Sequence, residues 1–166
     1  MLRQVLLSSF LLIHFIVAGQ TRQEKTQIME PVNILFRAME AGDSALLGTA
    51  FYKQVSLITV SLDQGLGFKN LSFENDLHAF KKAIASEKKE PYREPIYNVK
   101  IQNEGSFAQV WAKYSFYIGK NFHHCGIDTF QLIKTDQGWK IFHLADTRQQ
   151  KGCIVPKSVR NQYERS

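Results

Sequence analysis

The sequence predicts an α+β domain, a curved antiparallel sheet with N-terminal helices packed on its concave face. Three observations carry this. Apolar residues recur at helical spacing early in the chain, four long alternating segments fill its second half, and tight-turn sequences separate those four. A content of 44% apolar and 12% aromatic residues over 166 positions suits a single core.

Arg3 precedes an apolar run from Val5 to Ala18 that closes on Val17-Ala18-Gly19, the small-residue spacing a signal peptidase accepts. This predicts a signal peptide over residues 1–19 and a secreted or periplasmic mature protein. The run spans about 14 residues and is broken by Ser8, Ser9 and His14, short of the roughly 20 that a membrane span needs. No stable membrane insertion is expected. A polar lead over residues 20–30 then introduces a domain over 31–150 and a basic tail over 151–166.

Within the domain, Val32, Leu35, Phe36 and Met39 repeat at i, i+3, i+4 and i+7, which predicts an amphipathic helix with Pro31 in its first turn. Gly42 stops it, and Asp43 or Ser44 caps a short second helix. Val55 to Leu62 reads as a strand that turns through Asp63-Gln64-Gly65 into a weaker one near Leu66 to Leu71. Ser72 is placed to cap a helix whose Phe73, Leu77, Phe80 and Ile84 share a stripe, with His78 off it. Pro91 and Pro95 bracket a linker. Ile96–Asn103, Ser106–Ile118, Phe122–Lys134 and Trp139–Arg148 then read as strands joined by Glu104-Gly105, Gly119-Lys120-Asn121 and Asp136-Gln137 turns.

The formal charge is +6, and from Arg148 onward five basic residues face one acid, so much of the excess sits in the tail. Basic pairs at Lys81-Lys82 and Lys88-Lys89 are offset by Glu74, Asp76, Glu87 and Glu90, so no nucleic-acid partner is expected. Strand alternation separates His124 from His123 and Cys125, so no metal site is expected. Gly65, Gly67, Gly119 and Gly138 lack phosphate-loop spacing, and no cofactor is expected. Cys125 and Cys153 are candidates for a disulfide in an exported protein, or else two unpaired thiols.

The order of helix ending in Ala41-Gly42-Asp43, short helix with Leu46-Leu47, strand, helix with Leu77 and Phe80, and long strands closing on Gly138-Trp139-Lys140-Ile141 resembles the nuclear transport factor 2-like superfamily. Tyr114 to Arg148 is similar to its exported lumazine-binding-like and polyketide-cyclase-like branch. The resemblance covers roughly Val32 to Arg148 and implies a cone-shaped, cystatin-like half-barrel. It implies a homodimer too, and a superfamily that hosts ketosteroid isomerases, dehydratases, polyketide cyclases and non-catalytic binding modules. Fold analogy alone does not choose among them.

An unbroken hairpin with Thr135 opposite Gly138 sets Asp128 beside Ala145 and Phe130 beside His143, on the face of Leu132, Trp139 and Ile141. Asp128 and His143 are then diagonal neighbours in an apolar hollow, beneath Leu35, Phe36 and Met39. A bulge would exchange the faces of one strand. Tyr114, Phe116, His124 and Phe130 join the same lining, His124 at its mouth. Asp128 reads either as a general base or as a carboxylate satisfying Tyr114, and His143 either as its acid–base partner or as a packed ring. Tyr114 reads either as a donor to a ligand carbonyl or as a packing residue. The leading expectation is a pocket, non-catalytic or weakly catalytic, for a small apolar or carbonyl-bearing ligand. The alternatives are an isomerase, dehydratase or cyclase using Asp128, His143 and Tyr114, and a homodimeric interaction module working through the Trp111 and Tyr117 face.

Overall fold

Thr21 starts the first helix, accepting the Glu24 N–H at 3.1 Å through its hydroxyl. The structure, a computed structural model, describes residues 21–63, 67–87 and 90–164. The signal-peptide expectation, the Gln64-Gly65 turn and Lys88-Lys89 lie outside the described residues. Helix α1 runs Arg22–Ala41, so the polar lead is helical and Pro31 lies inside the helix. Its capped, straight-chain first turns carry it past Pro31, which removes one backbone bond but is buried with Ile28, Val32, Leu35, Ala38 and Met39 on one stripe. Gly42, at φ 71°, ends α1, and Asp43 caps α2 (Ser44–Ala50) by accepting the Leu46 N–H at 2.8 Å.

Strands β1 (Phe51–Asp63), β2 (Gly67–Glu74), β3 (Tyr92–Arg93), β4 (Ile96–Glu104), β5 (Phe107–Ile118), β6 (Asn121–Thr135) and β7 (Gly138–Arg148) form one sheet. Its order is β2-β1-β7-β6-β5-β3, with β4 also on β5. The expected antiparallel sheet is mixed, because β1 lies parallel to β7. It does not close into a barrel. The expected Ser72 cap gives way to strand: β2 pairs with β1 through Glu74, and helix α3 starts only at His78 and runs to Ala85. Asp76 accepts the His78 N–H at 2.7 Å. The pairing of Ser72 and Phe73 with Thr59 and Ile58 outweighs a local capping preference.

Two other expectations are corrected, the linker and the open face at Tyr117. The linker between Pro91 and Pro95 holds β3, stitched to β5 by Gly119 N–H to the Pro91 carbonyl at 2.9 Å and Ser115 N–H to the Pro95 carbonyl at 3.2 Å. The tail carries a helix, α4 (Lys157–Tyr163), whose Tyr163 stacks on Tyr117 with ring centres 5.6 Å apart. Cys125 and Cys153 are joined by an S–S bond of 2.11 Å, and Cys125 exchanges backbone hydrogen bonds of 2.9 and 3.0 Å with Gln149. Tyr117, assigned above to an open dimer face, is therefore buried beneath this chain's own tail.

The core lies between α1, α2 and the concave face, where Leu47, Val110, Phe130, Leu132 and Ile141 are fully buried. None of the described helices is long and apolar enough to cross a membrane.

Candidate functional site

Two bulges decide which side chains look into the concave face. In β6, Phe116 faces His124 while Tyr117 faces Phe122, so His123 is the extra residue. It follows a two-residue Gly119-Lys120 turn, one residue shorter than expected, and the two differences cancel. Val110, Ala112, Tyr114 and Phe116 therefore share a face with His124, Asp128 and Phe130. In β7 the hairpin begins with Thr135 opposite Gly138, but Leu132 faces Ile141 and Gln131 faces His143, which makes Phe142 extra. Nothing offsets this second bulge, and beyond it β7 presents Leu144, Asp146 and Arg148 inward.

The result is a cavity of about 560 Å³. Leu35, Phe36 and Met39 of α1, Phe80 and Ile84 of α3, and Tyr92, Phe116, Phe130 and Leu144 give it apolar walls. Its polar side is formed by Glu94, Tyr114, His124, Asp128, Asp146 and Arg148.

Each polar group is held by its local backbone. Pro95 restricts Glu94 to extended conformation, so it alternates with its neighbour. Arg93 turns outward, donating to Glu40 at 2.8 Å, while Glu94 turns inward. Tyr114 lies against Gly126, where a Cβ would meet the Tyr114 ring at 2.8 Å and collide with the Thr147 carbonyl. The Tyr114 hydroxyl donates to that same carbonyl at 2.8 Å. Asp146 accepts from Thr59 at 2.6 Å and from Arg148 Nε at 2.6 Å. Asp128 is 2% exposed beside the Glu94 carboxyl, and its Oδ2 accepts no hydrogen bond from an N–H or hydroxyl.

Desolvation dominates the electrostatics. Burial, then the Asp146 charge, raises the Glu94 carboxyl. Burial, then the Glu94 and Asp146 charges, raises that of Asp128. Between them the pair retains a proton at neutral pH. Burial likewise pushes the Tyr114 hydroxyl up, and it lowers His124 to about 3, with Arg148 and His123 adding to the effect. His124 is thus a neutral ring, 2.8 Å from the His123 ring nitrogen and edge-on to Tyr114.

Of the residues the sequence directs inward, Leu35, Phe36, Met39, Tyr114, Phe116, His124, Asp128 and Phe130 line the cavity. Trp139 and Ile141 do not. They are buried in the core on the hairpin-turn side of the bulge. His143 is also elsewhere: it pairs with Gln131 on the outer face and meets Ser56 Oγ at 2.5 Å through Nδ1. The extra residue at Phe142 is the physical reason. Sequence reading missed Glu94, and the unbroken hairpin it expects, with Asp128 beside Ala145, turns Asp146 to the outer face. Extended geometry before Pro95 was the available signal for Glu94. Among the described residues no cluster of His, Cys, Asp and Glu could hold a metal ion.

This fold is that of the nuclear transport factor 2-like, cystatin-like proteins. Residues 23–144 match the family described as putative lumazine-binding, and the chain belongs to that family. Among solved structures, a protein of unknown function with a cystatin-like fold from Nostoc punctiforme is 13% identical. The match covers 79% of this chain and 95% of that one, with a TM-score of 0.63. A protein from Streptomyces avermitilis, described as a putative dehydratase of the nuclear transport factor 2-like family, is 15% identical. Here 76% and 97% are covered, with a TM-score of 0.60. A nuclear transport factor 2-like protein of unknown function from Methylobacillus flagellatus is 21% identical over 78% and 95%, with a TM-score of 0.56. At these identities the likeness concerns the fold alone. No curated protein matches the chain.

Proposed function

We propose that the chain is an exported protein that binds a small, largely apolar molecule in the cavity between α1, α3 and the sheet, with no catalysis or only weak catalysis. One observation carries the reading: an apolar hollow of about 560 Å³ whose polar side includes a buried carboxylate oxygen, Asp128 Oδ2, with no protein partner. The family's description supplies a first candidate, lumazine, a flat bicyclic molecule with carbonyl and N–H groups along its edge. Export is supported by the run ending in Val17-Ala18-Gly19 together with the Cys125–Cys153 bond, which persists in oxidising compartments. Binding is favoured over turnover because the Tyr114 hydroxyl is committed to the Thr147 carbonyl, and His143 stands on the other face.

The test is thermal denaturation of the purified protein with lumazine and related flat heterocycles. A ligand at about 100 times its dissociation constant adds about 2.7 kcal/mol. Ala83→Trp, which places a bulky ring in the cavity from α3, is expected to abolish the shift. Absence of any shift across the panel overturns the reading.

A second reading, an isomerase, dehydratase or cyclase without cofactor, is favoured by the Glu94 and Asp128 carboxyls, which line one cavity and are both raised by burial. In that enzyme the pair, not Asp128 with His143, exchanges the proton. Turnover that collapses on Asp128→Asn distinguishes it. A homodimer would use the part of the outer face that the tail leaves open, where Phe107 and Ile133 pair across β5 and β6 and Phe142 lies 6.3 Å from Phe107. A concentration-independent monomer in sedimentation rules it out.

A further inference from the structure

We infer that the cavity selects a flat molecule whose polar end is a cationic nitrogen group, an amidinium or an ammonium, seated at the Glu94 and Asp128 carboxyls. The inference rests on the pocket reading above and names the chemistry of its ligand.

Charge placement is the first argument. Glu94, Asp128 and Asp146 all line the cavity, against one guanidinium, that of Arg148. Arg148 Nε is bonded to Asp146 at 2.6 Å, and Thr59 occupies the other Asp146 oxygen. Asp146 is therefore already paired within its own neighbourhood. Among the described residues neither Glu94 nor Asp128 has an ion pair with a basic side chain. A buried carboxyl pair without a counter-cation is costly unless protonated or paired with a cation from outside.

Hydrogen-bonding capacity is the second. Asp128 is 2% exposed, and its Oδ2 accepts nothing from the protein. Two adjacent carboxyls that hold one proton between them offer more acceptor sites than donors. A head with several N–H groups meets that excess, whereas a bare carbonyl oxygen leaves Oδ2 unmet. The walls agree, because Phe36, Tyr92, Phe116 and Phe130 offer aromatic rings to a flat cation.

The other charged or titratable groups around the pair are Tyr92 from β3, Tyr114 from β5, His124 and His123 from β6, Asp146 and Arg148 from β7, and Glu74 from β2. His124 is held neutral, so it does not oppose a cation. Both carboxyls are raised, chiefly by desolvation, and an arriving cation displaces the proton they retain between them. Cation binding is therefore coupled to proton release and strengthens as pH rises toward the raised carboxyl range.

The test is isothermal titration of the purified protein with naphthalene-2-carboxamidine and its neutral isostere naphthalene-2-carboxamide, from about pH 6 to 8 in two buffers of different ionisation heat. The amidine is expected to bind at least about tenfold more tightly, to gain up to about tenfold per pH unit, and to release about one proton. Glu94→Gln is expected to remove about tenfold of amidine affinity and leave amide affinity within about twofold. Equal or tighter binding of the amide, or amidine binding without proton release, overturns the inference while the pocket reading stands. If neither compound binds, the pocket reading fails and takes the inference with it.

Discussion

Asp128 and Asp146 stand directly opposite each other on β6 and β7, two carboxylates on one inward face. They coexist because their surroundings differ. Asp146 has Thr59 and Arg148 within 2.6 Å, while among the described residues no N–H or hydroxyl reaches Asp128 Oδ2. Replacing Asp146 by Ala strips Arg148 of its partner and leaves the Thr59 hydroxyl without its acceptor. We expect a loss of about 2 to 3 kcal/mol in urea denaturation, against about 1 kcal/mol for Thr59→Val.

The raised carboxyls also shape stability against pH. Glu94 ionises near 4.5 when unfolded and is pushed up to about 8 in the fold. Between those values the native state holds a proton that the unfolded chain has lost, so stability falls as pH rises through the window. His124 works on the acid side. The unfolded ring takes a proton near 6.5 and the folded one only near 3, so stability is lost as pH falls between them. Melting temperatures followed across pH should show Glu94→Gln flattening the alkaline decline and His124→Phe the acid one. A decline unchanged in either variant contradicts the corresponding assignment.

The four long strands were legible to within about two residues at each end, because period-2 alternation and the Gly105, Gly119 and Gly138 turns are local signals. The Gly42-Asp43 junction between α1 and α2 was legible for the same reason. What stayed hidden is non-local. No residue type announces the bulges at His123 and Phe142, and the first is masked because a shorter turn offsets it. The parallel pairing of β1 with β7 joins segments far apart in the chain. Glu94 lies in a two-proline stretch that reads as linker until β3 pairs with β5. So Asp128 was found and its partner was not: one bulge separates His143 from Asp146 as the neighbour that faces it.

That exchange yields a sharp contrast between two histidines. His143, outside the cavity, exchanges its hydrogen bond with Ser56, so His143→Ala is expected to cost about 1 kcal/mol and to change ligand affinity by less than about twofold. His124 lines the cavity beside Tyr114 and Phe116, so shortening it opens space against the bound molecule. Parallel titrations of His143→Ala and His124→Ala with whichever ligand the wild type binds decide the point. A larger affinity loss at His143 would mean that the inward face has been misassigned.

The tail offers the last test, because two kinds of contact hold it and they can be separated. Cys125 and Cys153 lie 28 residues apart, a loop whose closure is worth about 3.6 kcal/mol in the chain-entropy account. Beyond the bond, Tyr163 stacks on Tyr117, whose hydroxyl donates to Glu164 at 3.2 Å, and the Tyr97 hydroxyl reaches the Ile154 carbonyl at 3.4 Å. Tyr117 and Ser115 are fully buried. If the bond is what holds the tail, Cys125→Ala with Cys153→Ala should lose about 3 kcal/mol in urea denaturation and expose Lys157 and Arg160 to trypsin, while the 21–150 region stays resistant. If instead Tyr163 docking suffices, the double variant resists trypsin as the wild type does, and Tyr163→Ala becomes the change that frees the tail.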